Sequence, residues 1–101
     1  MIKTKDISDM NVLYIEDEPM TREAMHMILS KYVRELDTAE NGLVGLDMYN
    51  LQRPDVIITD LAMPVMDGFE FIRKIREEDS ETAIIVITAF RDEAENLIGA
   101  N

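Results

Sequence analysis

The feature of this sequence that most constrains its fold is a set of short, strongly apolar runs separated by helix-forming segments. The runs cover residues 11–15, 55–60 and 83–88, and each has the length of a buried strand. A more polar segment at residues 33–39 is predicted to form a further strand near a sheet edge. Because the apolar runs are hydrophobic on both faces, helices are expected on both sides of the sheet.

Helix signals fill the gaps between these strands. Pro19 favours the first turn of a helix at residues 19–32, Asn41-Gly42 precedes a second that ends at Arg53-Pro54, Gly68 opens a third, and a fourth begins at Asp92. Apolar residues at helical spacing are Met20, Ala24, Met27, Ile28 and Tyr32 in the first helix, Leu43, Leu46 and Tyr49 in the second, and Phe69, Ile72 and Ile75 in the third. Strands alternating with helices predict a doubly wound, parallel α/β sheet with right-handed crossovers.

Composition excludes several classes of protein. A net charge of −11 argues against direct binding to nucleic acid or to anionic membranes, because both depend on Lys and Arg. The absence of cysteine excludes disulfides and thiolate metal sites. No apolar run is long enough to span a bilayer, and the polar N-terminus lacks the apolar core of a signal peptide. A single cytoplasmic domain is therefore expected.

Polar side chains stand at the carboxyl ends of three predicted strands. Glu16-Asp17 ends the first, Asp60 ends the third and Thr88 ends the fourth. Ligands of open α/β sheets bind beyond these strand ends, and the three strands are neighbours in a doubly wound sheet. Clustered carboxylates repel one another without a cation, and Mg²⁺ prefers oxygen ligands. Each residue alone has a plainer explanation, as a helix start, a loop cap or a strand residue. Their joint placement predicts a metal site.

Three segments of the sequence resemble the receiver domains of bacterial response regulators. These are residues 12–18 (VLYIEDE), 54–68 (PDVIITDLAMPVMDG) and 84–90 (IIVITAF). The resemblance implies a flavodoxin-like fold with strand order 2-1-3-4, lacking the fifth strand, its terminal lysine and the fifth helix of that family. Residues 1–101 are accordingly interpreted as a single receiver domain truncated within its fourth helix.

The same resemblance implies roles for individual residues. Asp60 is similar to the phosphoacceptor, and Asp17, Asp60 and the Ala62 carbonyl to the Mg²⁺ ligands, with Glu16 holding the metal through water. Thr88 is similar to the hydroxyl that moves onto the phosphoryl group. A sensor histidine kinase, a phosphotransfer protein or a small acyl phosphate would be the donor, and a partner or effector would be switched. The chain would not be an enzyme beyond self-catalysed phosphoryl transfer and autodephosphorylation.

Two alternatives stay open at this point. The first is a phosphorylation-impaired pseudo-receiver or oligomerising interaction module. The second is a Mg²⁺-dependent phosphohydrolase of the aspartyl-phosphate type, which would need a second acid where this chain has Ala62. Without a fifth strand and helix, the fourth strand and the apolar face of the first helix are expected to be exposed. A homodimer or higher oligomer through either surface is therefore predicted.

Overall fold

The fold alternates strands and helices, as the sequence predicts. A computed structural model of the protein describes residues 6–87. Its elements are a 3-10 turn at Ile7–Asp9, β1 (Asn11–Ile15), α1 (Pro19–Leu29), β2 (Glu35–Ala39), α2 (Gly42–Gln52), β3 (Val56–Asp60), α3 (Gly68–Glu78) and β4 (Ala83–Ile87). The predicted fourth helix and the predicted truncation within it lie outside the described residues. None of the helices found between residues 6 and 87 is long and apolar enough to cross a membrane.

The sheet is parallel throughout its described part and has the strand order β2-β1-β3-β4. The predicted order 2-1-3-4 and the predicted edge position of β2 are both confirmed. Ile15 of β1 pairs with Thr59 of β3, and Asp60 pairs with Ile87 of β4. The carboxyl ends of β1 and β3 therefore lie side by side.

The hydrophobic core lies between the sheet and the helices α2 and α3. Its members are buried residues of the strands, of both helices and of the loop after β3: Leu13, Ile15, Ala39, Tyr49, Ile57, Met63, Met66, Phe71 and Ile75. Right-handed crossovers place α1 on the opposite face of the sheet from these two helices. The loop side chains Met63 and Met66 anchor the segment that follows Asp60 to this core.

The apolar face predicted for α1, which comprises Met20, Ala24, Met27 and Ile28, is exposed. Met20, Met27 and Ile28 are 79%, 63% and 53% exposed, and the helix buries no residue completely. It ends at Leu29, so Tyr32 lies beyond it rather than in its last turn. The spacing correctly indicated a helix, but within residues 6–87 this face has no element packed over it. The exposure agrees with the expectation that α1 would lack a packing partner.

The strand β4 lies at an edge of the described sheet, and Ile85 and Ile87 are 50% and 46% exposed. The apolar run was correctly predicted to form a strand, and its exposure agrees with the expected edge position. One core assignment is wrong. In α3, Phe69 is 39% exposed, whereas Phe71 is fully buried. At about 100° per residue, positions two apart point to opposite sides of a helix. The core face of α3 is therefore Phe71 and Ile75, with Ile72 beside them.

A single carboxylate joins α2, the end of α3 and the start of β4. Asp79 accepts hydrogen bonds from the Thr82 and Tyr49 hydroxyls and from the backbone N–H groups of Glu81 and Thr82, the last two at 2.9 and 3.0 Å. Arg53 donates to the Tyr49 hydroxyl at 2.7 Å, and its guanidinium lies 4.6 Å from the centre of the Tyr49 ring. The donors, led by the Thr82 and Tyr49 hydroxyls, hold the pKa of Asp79 well below its usual range.

This network predicts an acid-dependent contribution to stability. Because the folded-state pKa of Asp79 is lowered, its stabilising effect is present above the ordinary aspartate pKa of about 4 and is lost as the pH falls below it. We expect Asp79→Asn to lower the thermal unfolding midpoint at pH 7, and the difference from wild type to shrink as the pH falls from 5 to 3. Glu77→Gln, with the same charge change at an exposed position in the last turn of α3, is the matched control. Parallel pH profiles for wild type and Asp79→Asn would contradict the assignment.

Candidate functional site

Three carboxylates converge at the carboxyl edge of the sheet. Glu16 and Asp17 directly follow β1, and Asp60 is the last residue of β3. Each offers an oxygen atom within 4.8 Å of the oxygens from the other two. Glu16 is buried, whereas Asp17 and Asp60 are half-buried. The predicted convergence of these acids is therefore found in the structure, while Thr88 lies outside the described residues.

The turn between β1 and α1 holds the first two acids in place. The Glu16 N–H donates to the Ala39 carbonyl at 3.0 Å, so the contact with β2 continues one residue past the strand. The Glu18 N–H donates to Glu16 Oε2 at 3.1 Å. The Glu18 carboxylate itself caps α1, accepting from the N–H groups of Met20 and Thr21 at 3.3 and 2.8 Å. Glu18 is thus committed to the helix start, and the acidic site consists of Glu16, Asp17 and Asp60.

Burial raises the pKa of Glu16, and the nearby Asp60 and Asp17 raise it further, although the Glu18 N–H acts in the opposite direction. The buried Tyr14 hydroxyl donates to Glu16 Oε1 at 3.5 Å. Burial and the Glu16 charge raise the pKa of Tyr14 to about 12, so this hydroxyl keeps its proton at neutral pH. Sequence reasoning missed Tyr14, because an aromatic residue in a strand carries no sign that its polar end meets a carboxylate.

Asp60 is oriented by the loop that follows it. Its Oδ1 atom accepts hydrogen bonds from the Leu61 N–H at 2.7 Å and from the Ala62 N–H at 3.4 Å. Leu61 is buried, whereas Ala62 is exposed. The predicted ligand position at Ala62 therefore lies on an open part of the loop, two residues beyond the predicted phosphoacceptor. Two backbone donors on one oxygen fix the rotation of the Asp60 carboxylate.

Glycines at two helix starts allow this loop to close. The Gly68 N–H donates to the Leu61 carbonyl at 2.9 Å, and the Gly42 N–H donates to the Met66 carbonyl at 3.0 Å. A Cβ atom on Gly68 would lie 2.2 Å from the Asp60 carbonyl oxygen, and one on Gly42 would lie 2.5 Å from that of Met66. The sequence marked both glycines as helix starts and missed their contacts with the loop, since such contacts join backbone segments that are distant in the chain.

The middle of the loop is strained. The Met66 N–H donates to the Pro64 carbonyl at 2.8 Å, which closes a three-residue turn around Val65. Val65 has a φ of 70°, a left-handed conformation that costs a β-branched residue about 1–3 kcal/mol. The buried side chains of Met63 and Met66 and the two glycine contacts are the interactions that offset this cost.

Comparison with known proteins finds matches over most of the chain. The family profile described as the response regulator receiver domain matches residues 12–100. The transcriptional regulatory protein AfsQ1 of Streptomyces coelicolor is 37% identical over 89 residues, which are 88% of this chain and 39% of AfsQ1. A protein-glutamate methylesterase/protein-glutamine glutaminase of Hahella chejuensis is 43% identical over 81 residues, 79% of this chain and 23% of that protein. The chain thus spans less than half the length of these relatives.

Solved structures agree with the sequence relatives. The N-terminal domain of an uncharacterized protein from Wolinella succinogenes superposes with a TM-score of 0.80 at 36% identity, covering 89% of this chain and 72% of that one. The chemotaxis response regulator CheY4 of Vibrio cholerae superposes with a TM-score of 0.74 at 31% identity, covering 89% of this chain and 79% of that one. The described architecture is therefore that of a flavodoxin-like receiver domain.

The loop geometry predicts unequal costs for two glycine substitutions. Gly68→Ala places its methyl group against backbone atoms of Asp60 and Leu61, so we expect a loss of at least about 1–3 kcal/mol in the free energy of unfolding. Gly45→Ala is the matched control in α2. Its methyl group meets the Ile15 side chain at 2.6 Å, and its added helix propensity of up to about 1 kcal/mol offsets part of the strain. Urea denaturation of both variants measures the difference, and equal costs would argue against the loop contact.

Proposed function

The chain belongs to the response regulator receiver domain family, and on that premise we propose that Asp60 is the residue that accepts the phosphoryl group. The observation that carries the proposal is the convergence of Glu16, Asp17 and Asp60 within 4.8 Å at the edge of the sheet. Asp60 is the last residue of β3, which lies between β1 and β4 in the sheet. A phosphoryl donor can approach this strand end from beyond the sheet.

Asp60 is suited to act as a nucleophile. One of its carboxylate oxygens would attack the phosphorus of a phosphohistidine or of a small acyl phosphate. The P–N or P–O bond to the donor would break, and the product is an acyl phosphate on Asp60. The Leu61 and Ala62 amides, which donate to Oδ1, orient the carboxylate before the reaction. A sensor histidine kinase or a phosphotransfer protein is the proposed donor.

The acidic cluster fits a magnesium ion. Its donors are hard carboxylate oxygens, and a divalent cation would relieve the charge repulsion that adds to burial in raising the pKa of Glu16. We assign the metal to Asp17, Asp60 and the backbone carbonyl of Ala62, with Glu16 contributing through water. When bound, Mg²⁺ would neutralise charge on the phosphoryl oxygens. The residues themselves supply the position and orientation of the Asp60 carboxylate.

Phosphorylation would be transmitted by added charge at the strand ends. Thr88 is the proposed switch hydroxyl, on the strength of the family resemblance. The proposed chemistry is limited to accepting the phosphoryl group and to autodephosphorylation, without turnover of a separate substrate. A partner or effector is the proposed recipient of the signal.

Substitution separates the proposed acceptor from the proposed switch. We expect Asp60→Asn to abolish phosphorylation by acetyl phosphate and Mg²⁺, because the amide is not a competent nucleophile. Thr88→Ala is expected to accept phosphate like the wild type but to lose the conformational response. Intact mass and hydroxylamine sensitivity measure the first effect, and amide NMR shifts upon phosphorylation measure the second. Hydroxylamine-sensitive phosphate on Asp60→Asn would rule out Asp60 as the acceptor.

Self-association is a second proposal, favoured by exposed apolar residues on two elements. Met27 of α1 is 63% exposed and Ile87 of β4 is 46% exposed. A homodimer or higher oligomer through one of these surfaces would remove them from water. Light scattering at micromolar concentration is expected to show the oligomer. If α1 forms the contact, Met27→Lys should dissociate the oligomer. If β4 forms it, Ile87→Lys should do so. A dispersed wild-type monomer would disprove the proposal.

A further inference from the structure

Arg22 reaches back from α1 to the turn that carries two of the site's acids. It lies in the first turns of the helix and is half-buried. Its Nη1 atom donates to the Glu16 carbonyl at 2.8 Å and approaches the Asp17 carbonyl at 3.4 Å. One guanidinium nitrogen therefore contacts the backbone of both acidic residues.

An arginine beside clustered carboxylates would ordinarily form an ion pair with one of them. Over residues 6–87, however, the hydrogen bonds of Arg22's side chain go to backbone carbonyls, and no salt bridge joins it to Glu16, Asp17 or Asp60. The carboxylates are thus left available to a cation. The positive charge of Arg22 is near enough to act on Tyr14, whose pKa it lowers against burial and the Glu16 charge, and on Glu18, where it adds to the hydrogen bonds of Thr21 and Met20 in lowering the pKa.

We propose that Arg22 is a positioning residue for the acidic site. By holding the carbonyls of Glu16 and Asp17, it fixes the two peptide planes that follow these residues, and so limits the directions in which their side chains leave the backbone. The Glu16 N–H bond to Ala39 holds the other side of the same turn. The inference rests on the proposed metal site, because its consequence is the presentation of Glu16 and Asp17 toward Asp60.

Electrostatics and positioning predict opposite effects when Arg22 is removed. The site is acidic and the chain carries a net charge of −11, so the loss of a nearby cation would by Coulomb attraction alone strengthen Mg²⁺ binding. If Arg22 instead holds the turn, its loss lets Glu16 and Asp17 depart from the geometry that a small, strongly hydrated ion demands, and binding weakens. The sign of the change in affinity therefore distinguishes the two roles.

The test is a titration of the unphosphorylated protein with Mg²⁺, in which binding is measured by calorimetry and by amide NMR shifts. Arg22→Met keeps much of the apolar stem and removes the donor, and we expect its affinity to fall about tenfold. Arg22→Lys keeps the charge but not the planar guanidinium, and its Mg²⁺ affinity should lie between those of the wild type and Arg22→Met. Arg73→Met is the matched control, since Arg73 is an exposed residue of α3 whose 4.0 Å ion pair is with Glu70. It makes the same charge change away from the site and should bind Mg²⁺ like the wild type.

Unchanged or tighter Mg²⁺ binding by folded Arg22→Met would overturn the proposal. Thermal unfolding without Mg²⁺ reports the stability of each variant separately, and if Arg22→Met does not fold, wild-type affinity in Arg22→Lys would overturn the proposal instead. Asp17→Asn distinguishes failure of the proposed metal site from failure of the role of Arg22. Wild-type affinity in Asp17→Asn would refute the proposed metal site itself. Loss of affinity in Asp17→Asn with full affinity in Arg22→Met would refute only the role of Arg22.

Discussion

The parallel pairing of β1 with β3 is the constraint on which the acidic site depends. Ile15 pairs with Thr59, so the residues that follow them, Glu16 and Asp60, lie beside each other at the sheet edge. Ile15 and Thr59 are completely buried, which fixes the register, because a slip of one residue would turn each strand's core-facing side chains to its other face. The hydrophobic core thus determines where the carboxylates lie, although none of the three belongs to it.

Two sources of unfavourable local energy lie at this edge. Glu16 is buried next to two further carboxylates, and Val65 takes a left-handed backbone conformation in the loop after Asp60. Such costs persist only where surrounding structure enforces them. Here the enforcement comes from backbone contacts at Gly42 and Gly68 and from core residues beneath the loop. A cation at the cluster would remove part of the cost, so the apo site is expected to be less stable than the loaded one.

The sequence was sufficient to predict the element order over the described residues and the clustered acids, because each has a local signature, while the sheet order was predicted from the resemblance to receiver domains. Apolar runs mark strands, and Glu16, Asp17 and Asp60 follow them directly. The error in α3 occurred because that helix has apolar residues on two faces, Phe69 on one and Phe71 on the other, and spacing alone does not show which face is covered. The contacts of Arg22 and Gly68 were missed for a different reason. Their partners are backbone atoms of another segment, and every residue has the same backbone atoms, so the pattern of side chains does not indicate such contacts.

The helix α1 connects the acidic site with an exposed apolar surface. Its first turns carry Arg22 and the Glu18 cap, which hold the acidic turn, while its exposed face carries Met27 and Ile28. A helix moves largely as one body, since its backbone hydrogen bonds are internal. Any protein that packs on the exposed face therefore contacts the element that positions Glu16 and Asp17. By linkage, a partner whose affinity depends on the placement of α1 must alter the cation affinity of the site by the same factor as the cation alters that of the partner.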